Sequence, residues 1–132
     1  MPDSPGLVKL CDFGLAMTVE QIRVRPPSLG GTPQYLSPEL YTGAPPSEAS
    51  DVFSFAMVMY ELLTLEAPFD GLDRGTVRDK VMSGERPPLP VVLPRPYLTL
   101  IESCWCAAPE KRPSFTEVVS KLQRLSAVPF YR

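Results

Sequence analysis

Histidine is missing from all 132 residues, and the three cysteines do not take its place. Cys104 and Cys106 stand two apart with no second Cys pair, so a zinc site is not expected, and buried or half-buried helix thiols are the simpler reading. An excess of one charge is missing too. With 13 basic and 15 acidic residues the net charge is -2, which leaves no basic footprint for nucleic acid. Long apolar runs are also absent. The stretch from Val52 to Leu65 is broken by Ser54 and Glu61 and is too short to span a bilayer. The opening Met1-Pro2-Asp3-Ser4-Pro5 has neither the basic nor the apolar part of a signal peptide. Neither nucleic acid nor a membrane is expected as a partner, and a cytoplasmic or nuclear location is the default.

What is present suits one modest core: 44% of residues are hydrophobic and 21% charged. The 17 prolines act mostly as punctuation between helical patterns. Arg86-Pro87-Pro88-Leu89-Pro90 contains a P-x-x-P, readable as a polyproline ligand or as a structural loop. Ser50 is placed to cap a helix in which Val52 to Leu63 leave almost no polar face, the pattern of a helix buried all round. A more charged helix over Thr76 to Met82 should stop at Gly84. Leu98, Ile101 and Trp105 recur at helical spacing, and Ser114 to Glu117 forms a capping box before Val118, Val119, Leu122 and Leu125. Val8-Lys9-Leu10-Cys11 reads as a short strand. The coarse expectation is a strand, a long irregular loop and four or five helices.

Four ordered motifs narrow this further. Asp12-Phe13-Gly14 follows the strand pattern, and Gly31-Thr32-Pro33-Gln34-Tyr35-Leu36-Ser37-Pro38-Glu39 comes next. Asp51-Val52-Phe53-Ser54-Phe55-Ala56 opens the long helix, and Cys104-Trp105 precedes Arg112-Pro113-Ser114-Phe115. Together they resemble a protein kinase from its activation segment onward, with Ser37 for the Ala of A-P-E, Phe53 for Trp and Ala56 for Gly. The closing C-W and R-P-x-F resemble tyrosine kinases and the tyrosine-kinase-like group.

The resemblance implies a protein-kinase-like α+β fold. Residues 1–132 would hold only the mainly α-helical part of the C-terminal lobe, with a short strand and the activation segment at the start. No Gly-rich loop, strand Lys or H-R-D-x-x-x-x-N is encoded, so Met1 reads as a cut inside the domain. The helix covering one side of Val52 to Leu63 in the family is also not encoded, which implies a bare apolar side. The P-x-x-P matches a Pro-rich loop of the family and is favoured as structural.

For the chemistry, the resemblance implies that Asp12 holds the magnesium bridging the ATP phosphates, that the packing of Phe13 reports the active or inactive state, and that Gly14 supplies backbone freedom. Thr32 would seat the incoming hydroxyl, favouring Ser/Thr substrates. Ser28, with Arg23 and Arg25 nearby, is either an activating phosphosite or an unmodified loop serine. Glu39 and Arg112 would form a buried ion pair, and Asp51 would bond the backbone of the unencoded catalytic loop. The intact family moves the ATP γ-phosphate to a protein hydroxyl, with ATP and Mg as cofactors. The chain alone is expected to bind neither and to be inactive. Its partners would be protein substrates or the remaining kinase half; a noncatalytic interaction module working through Thr76 to Met82, and a pseudokinase remnant, are the alternatives.

Overall fold

Residues 6, 8–25 and 31–127 are described by the computed structural model, and α-helices account for half of them. In chain order these are α1 (Val19–Val24), α2 (Pro38–Tyr41), α3 (Glu48–Thr64), α4 (Arg74–Met82), α5 (Arg95–Cys104) and α6 (Phe115–Ser126). Short 3-10 turns lie at Phe13–Leu15, Pro33–Tyr35 and Pro109–Lys111. The strand expected over Val8 to Cys11 is not found: the segment is irregular and exposed. A strand needs a neighbour to receive its backbone donors and acceptors, and no strand exists among the described residues.

The long helix organises the rest. It begins three residues earlier than expected, at a capping box in which Ser50 N–H donates to Ser47 Oγ (3.2 Å) and Ser47 N–H donates to Ser50 Oγ (2.8 Å). Ser47 is therefore the cap, and Ser50 serves from the third helical position. Val52, Phe53, Ala56, Met57 and Tyr60 of α3 meet Val77 and Val81 of α4, Leu100, Ile101 and Cys104 of α5, and Val118 of α6. That cluster is the core.

Burial of α3 is not complete, contrary to its all-round apolar pattern. Val58 is open and Leu62 is 71% exposed. With Phe55 they repeat at helical spacing on one stripe, of which Phe55 is partly covered by Phe115, edge to face at 5.9 Å. The bare side implied by the family resemblance is thus present on α3.

Asp73 caps α4 by accepting the Thr76 N–H at 2.7 Å, so the helix starts at Arg74 rather than Thr76. Its end is a Schellman turn at Gly84 (φ 91°): Gly84 N–H reaches Val81 O at 3.1 Å and Glu85 N–H reaches Lys80 O at 2.9 Å. Trp105 stands just past the last turn of α5 and is still buried. At α6 the box is half formed. Ser114 Oγ accepts the Glu117 N–H (3.2 Å), but the Glu117 carboxylate meets the Ser114 hydroxyl (3.3 Å) instead of its amide. Pro87 is buried and Leu89 packs on the core while Pro88 is exposed, so the P-x-x-P run is built into the body. Cys104 is buried at the end of α5, where burial pushes its thiol up to about 11. Cys106 is half-buried but lies beyond the helix, and Cys11 is exposed.

Candidate functional site

The best-defined polar feature ties α2 to the turn before α6. Pro38 opens α2 and places Glu39 in its first turn, while Arg112 follows the Pro109–Lys111 turn. The two meet as a two-pronged pair, Arg112 Nη1 to Glu39 Oε1 at 2.7 Å and Nη2 to Oε2 at 2.9 Å. Arg112 also donates to the carbonyls of Cys106 (2.8 Å), Ala49 (2.9 Å) and Ala107 (3.4 Å). Its side chain is 0% exposed and that of Glu39 17%. Burial by itself would raise the Glu39 carboxyl, but the bond from Arg112, with those from its own backbone and from Ser37 and the charge of Arg112, together hold Glu39 below the usual carboxylate range. The pair inferred from the sequence is formed.

Arg86, which sequence reasoning did not single out, joins this cluster. Its guanidinium and that of Arg112 each lie 5.0 Å from the centre of the Phe53 ring. Arg86 donates to the carbonyls of Trp105 (3.0 Å), Val81 (3.2 Å) and Glu85 (2.8 Å). Burial, then the charge of Arg112, pulls its pKa down. Nothing local to Arg86 signals a ring 33 positions away; a charged residue at the mouth of a Pro-rich loop is ordinarily solvated.

The run from Gly31 to Tyr41 is pinned to the body at several points. Tyr35 donates its hydroxyl to the Glu61 carboxylate, and Ser54 Oγ of α3 donates to the Tyr35 carbonyl at 2.7 Å. Burial, then Glu61, pushes the Tyr35 phenol up to about 12. Tyr41 donates to Pro33 O at 2.7 Å, and Arg74 Nη1 to Gly31 O at 3.4 Å. Thr32 stands at the head of the Pro33–Tyr35 turn, its carbonyl taking the Tyr35 N–H at 3.1 Å. Its side chain makes no capping bond and is exposed. The scaffold is fixed and the hydroxyl is available.

Asp12, Phe13 and Gly14 lie apart from this scaffold. Asp12 is exposed and left-handed (φ 63°, ψ 65°), heading the Phe13–Leu15 turn, which closes with Ala16 N–H on Phe13 O at 3.0 Å. Phe13 is 67% exposed, so the expected packing contact is not made within the described residues. Gly14 takes no positive φ; the unusual backbone belongs to Asp12, where an Asp side chain is among the more tolerant choices. Thr18 and Gln21 cap α1 reciprocally at 2.8 and 3.1 Å, and α1 faces Pro45 to Ala49 across a cleft of about 500 Å³. No hydrogen bond or ion pair joins residues 8–25 to the helical body among the described residues. Asp51 is exposed in the first turn of α3, where partial burial of its carboxyl and then Glu48 push its pKa up. Ser28 lies outside the described residues.

No group of three metal-ligating side chains occurs among the described residues. Asp12 offers one accessible carboxylate, a donor set that suits magnesium, which is commonly held by one or two carboxylates together with substrate phosphates. No described helix is long and apolar enough to cross a membrane.

The family described as protein tyrosine and serine/threonine kinase matches residues 1–122. A probable serine/threonine-protein kinase of Dictyostelium discoideum is 40% identical over 126 residues, covering 92% of this chain and 9% of its own length. A serine/threonine-protein kinase of Arabidopsis thaliana is 37% identical over 130 residues, covering 96% of this chain and 16% of its own. Mitogen-activated protein kinase kinase kinase 7 of Drosophila melanogaster is 34% identical over 119 residues, covering 89% and 17%. The chain spans less than a fifth of the length of these curated relatives. Kinases of this family use ATP and magnesium and act on proteins. Its helical body, with the Glu39–Arg112 pair in place, fits part of their C-terminal lobe, and the chain belongs to the protein tyrosine and serine/threonine kinase family.

Proposed function

We propose that this chain forms the activation segment and substrate-side body of a serine/threonine protein kinase. The observation that carries the reading is the pinned run from Gly31 to Tyr41, which presents the Thr32 hydroxyl while Tyr35 and Glu39 hold its backbone to α3 and to Arg112. In the whole protein, ATP would supply the phosphoryl group and magnesium would offset the charge of its phosphates. Asp12 is the residue that would hold the metal. Thr32 offers a hydroxyl to orient the hydroxyl of a protein Ser or Thr, and the fixed segment below limits where that substrate backbone can lie. Ser28 is our candidate for a switch: a phosphate there, of about -1.5 to -2 charge, has Arg23 and Arg25 close in sequence to pair with.

The test uses the protein that carries this chain together with the 132-residue chain itself. The former should phosphorylate Ser and Thr peptides in preference to Tyr peptides. Asp12→Asn should abolish transfer, and Thr32→Val should lower it while Thr32→Ser keeps most of it. The chain alone should transfer nothing, because a catalytic base worth about 10² to 10⁴ in rate is not among its residues. Transfer by the chain alone that Asp12→Asn removes, or an equal preference for Tyr peptides, overturns the reading.

A further inference from the structure

The groove between α5 and α6 gathers cations in a chain whose net charge is -2. It has a volume of about 380 Å³, with Arg95, Lys121 and Arg124 around it and Pro96, Leu100 and Leu125 among its lining residues. All three cations are exposed, and the ion pairs among the described residues, Lys80–Glu85 and Arg112–Glu39, leave them out. Neither carboxylate of these two helices forms an ion pair with them among the described residues: Glu102 lies two turns along α5 from Arg95, and Glu117, four residues before Lys121, takes the Ser114 hydroxyl at 3.3 Å. Residues 127–132 contain no Asp or Glu.

Helix electrostatics account for only part of the cluster. Lys121 and Arg124 sit toward the C-terminal end of α6, where the helix dipole favours cations. Arg95 occupies the first turn of α5, the end at which a cation is disfavoured. A residue that breaks its local rule without an ion-pair partner among the described residues points to a partner outside them.

We infer that this groove docks an acidic peptide segment of a partner protein, with carboxylates on Arg95, Lys121 and Arg124 and an apolar side chain over Pro96, Leu100 and Leu125. Charge complementarity selects an anionic occupant. The lining selects a peptide, since Leu100 is buried at the groove and a flat layer of lipid headgroups meets the charged rim without filling an apolar recess. The inference does not depend on phosphoryl transfer and survives if the catalytic reading fails.

Fluorescence anisotropy with the full 132-residue chain and a labelled peptide of alternating Glu pairs and Leu tests it, with sedimentation confirming that signal travels with folded chain. Reversal of each cation (R95E, K121E, R124E) should weaken binding about two- to fivefold, and the triple reversal about tenfold or more, as expected for exposed charges. High salt should weaken it further. Replacing the peptide's Leu by Ala should also lower affinity. A charge-matched control variant carrying K9E, R78E and K111E should bind as the parent does. Absence of peptide binding, an equal loss in the control, indifference to the Leu-to-Ala change, or binding of phosphatidylserine vesicles in place of the peptide would each overturn the proposal.

Discussion

Residues 8–25 and residues 31–127 differ less in composition than in how they are held. The second region has a core, capped helices and a charged pair that spans 73 positions of sequence. The first has a turn and one short helix, each satisfied by its own neighbours, and Phe13 faces solvent. The residues named for metal chemistry are in the loosely held region, and the residues named for structure are in the other. A kinase activation segment therefore contains two physical regimes: one end is fastened through buried charge and one end keeps its side chains uncommitted. Local opening should be cheap in the first and approach the global cost in the second.

The comparison is broken most directly at the clasp. Glu39→Ala strands a buried guanidinium and should destabilise the body by about 3 to 5 kcal/mol in denaturant melts. Arg112→Ala should cost at least as much, since it also removes donors to three carbonyls and a contact with Phe53. The double variant should cost clearly less than the sum, and strict additivity would show no coupling. The pH dependence has a definite sign. Because Glu39 is held below its ordinary value near 4.5 in the fold, the pair's contribution is full above that value and is lost as pH falls through the lowered one. Glu39→Gln should flatten that acid limb.

A smaller effect is expected where cations meet the ring. Phe53→Leu keeps an apolar side chain but removes the face shared by Arg86 and Arg112, a loss of about 1 to 3 kcal/mol readable as a lower melting midpoint. Tyr35→Phe should cost about 1 kcal/mol at neutral pH, since the bond to Glu61 is only part-buried. With the phenol raised from 10.0 to about 12, its contribution is complete below 10 and is lost as pH rises through 12. The gap between parent and Tyr35→Phe should therefore narrow over that alkaline range. Smallest of all, Asp12→Ala should change the stability of the chain by no more than about 0.5 kcal/mol, against the large loss of transfer predicted for Asp12→Asn in the parent protein. A cooperative destabilisation by Asp12→Ala would erase the distinction between the two regions.

Legibility in the sequence followed the range of the interaction. Glu39 and Arg112 were readable because both ends belong to ordered motifs, and Gly84 because a C-terminal glycine acts within one turn. Ser47 and Ser50 are both good caps three residues apart; the sequence reading takes Ser50, and the reciprocal box makes Ser47 the cap. Val8 to Cys11 has strand composition, but a strand is a relation between two segments and its composition supplies only one. The helix pattern, with no polar side to mark solvent, does not show the exposure of Val58 and Leu62, and only the family resemblance implies a bare side. Arg86 and the Tyr35–Glu61 bond escape sequence reading for a related reason: each joins a motif residue to a distant one, Arg86 or Glu61, that belongs to no motif.

Phe53 has one further consequence. The resemblance places Trp at this position, and an indole brings an N–H that must find an acceptor of its own when buried. A phenyl ring makes no such demand. Every donor of Arg86 and Arg112 recorded here can thus go to Glu39 or to the carbonyls of Ala49, Val81, Glu85, Trp105, Cys106 and Ala107, which lie in separate stretches of the chain. In a cell, where a loss of one or two kcal/mol can change abundance several-fold through quality control, substitutions around this ring should be recognised by low protein level and rapid turnover, with the chemistry of the surviving molecules unaltered.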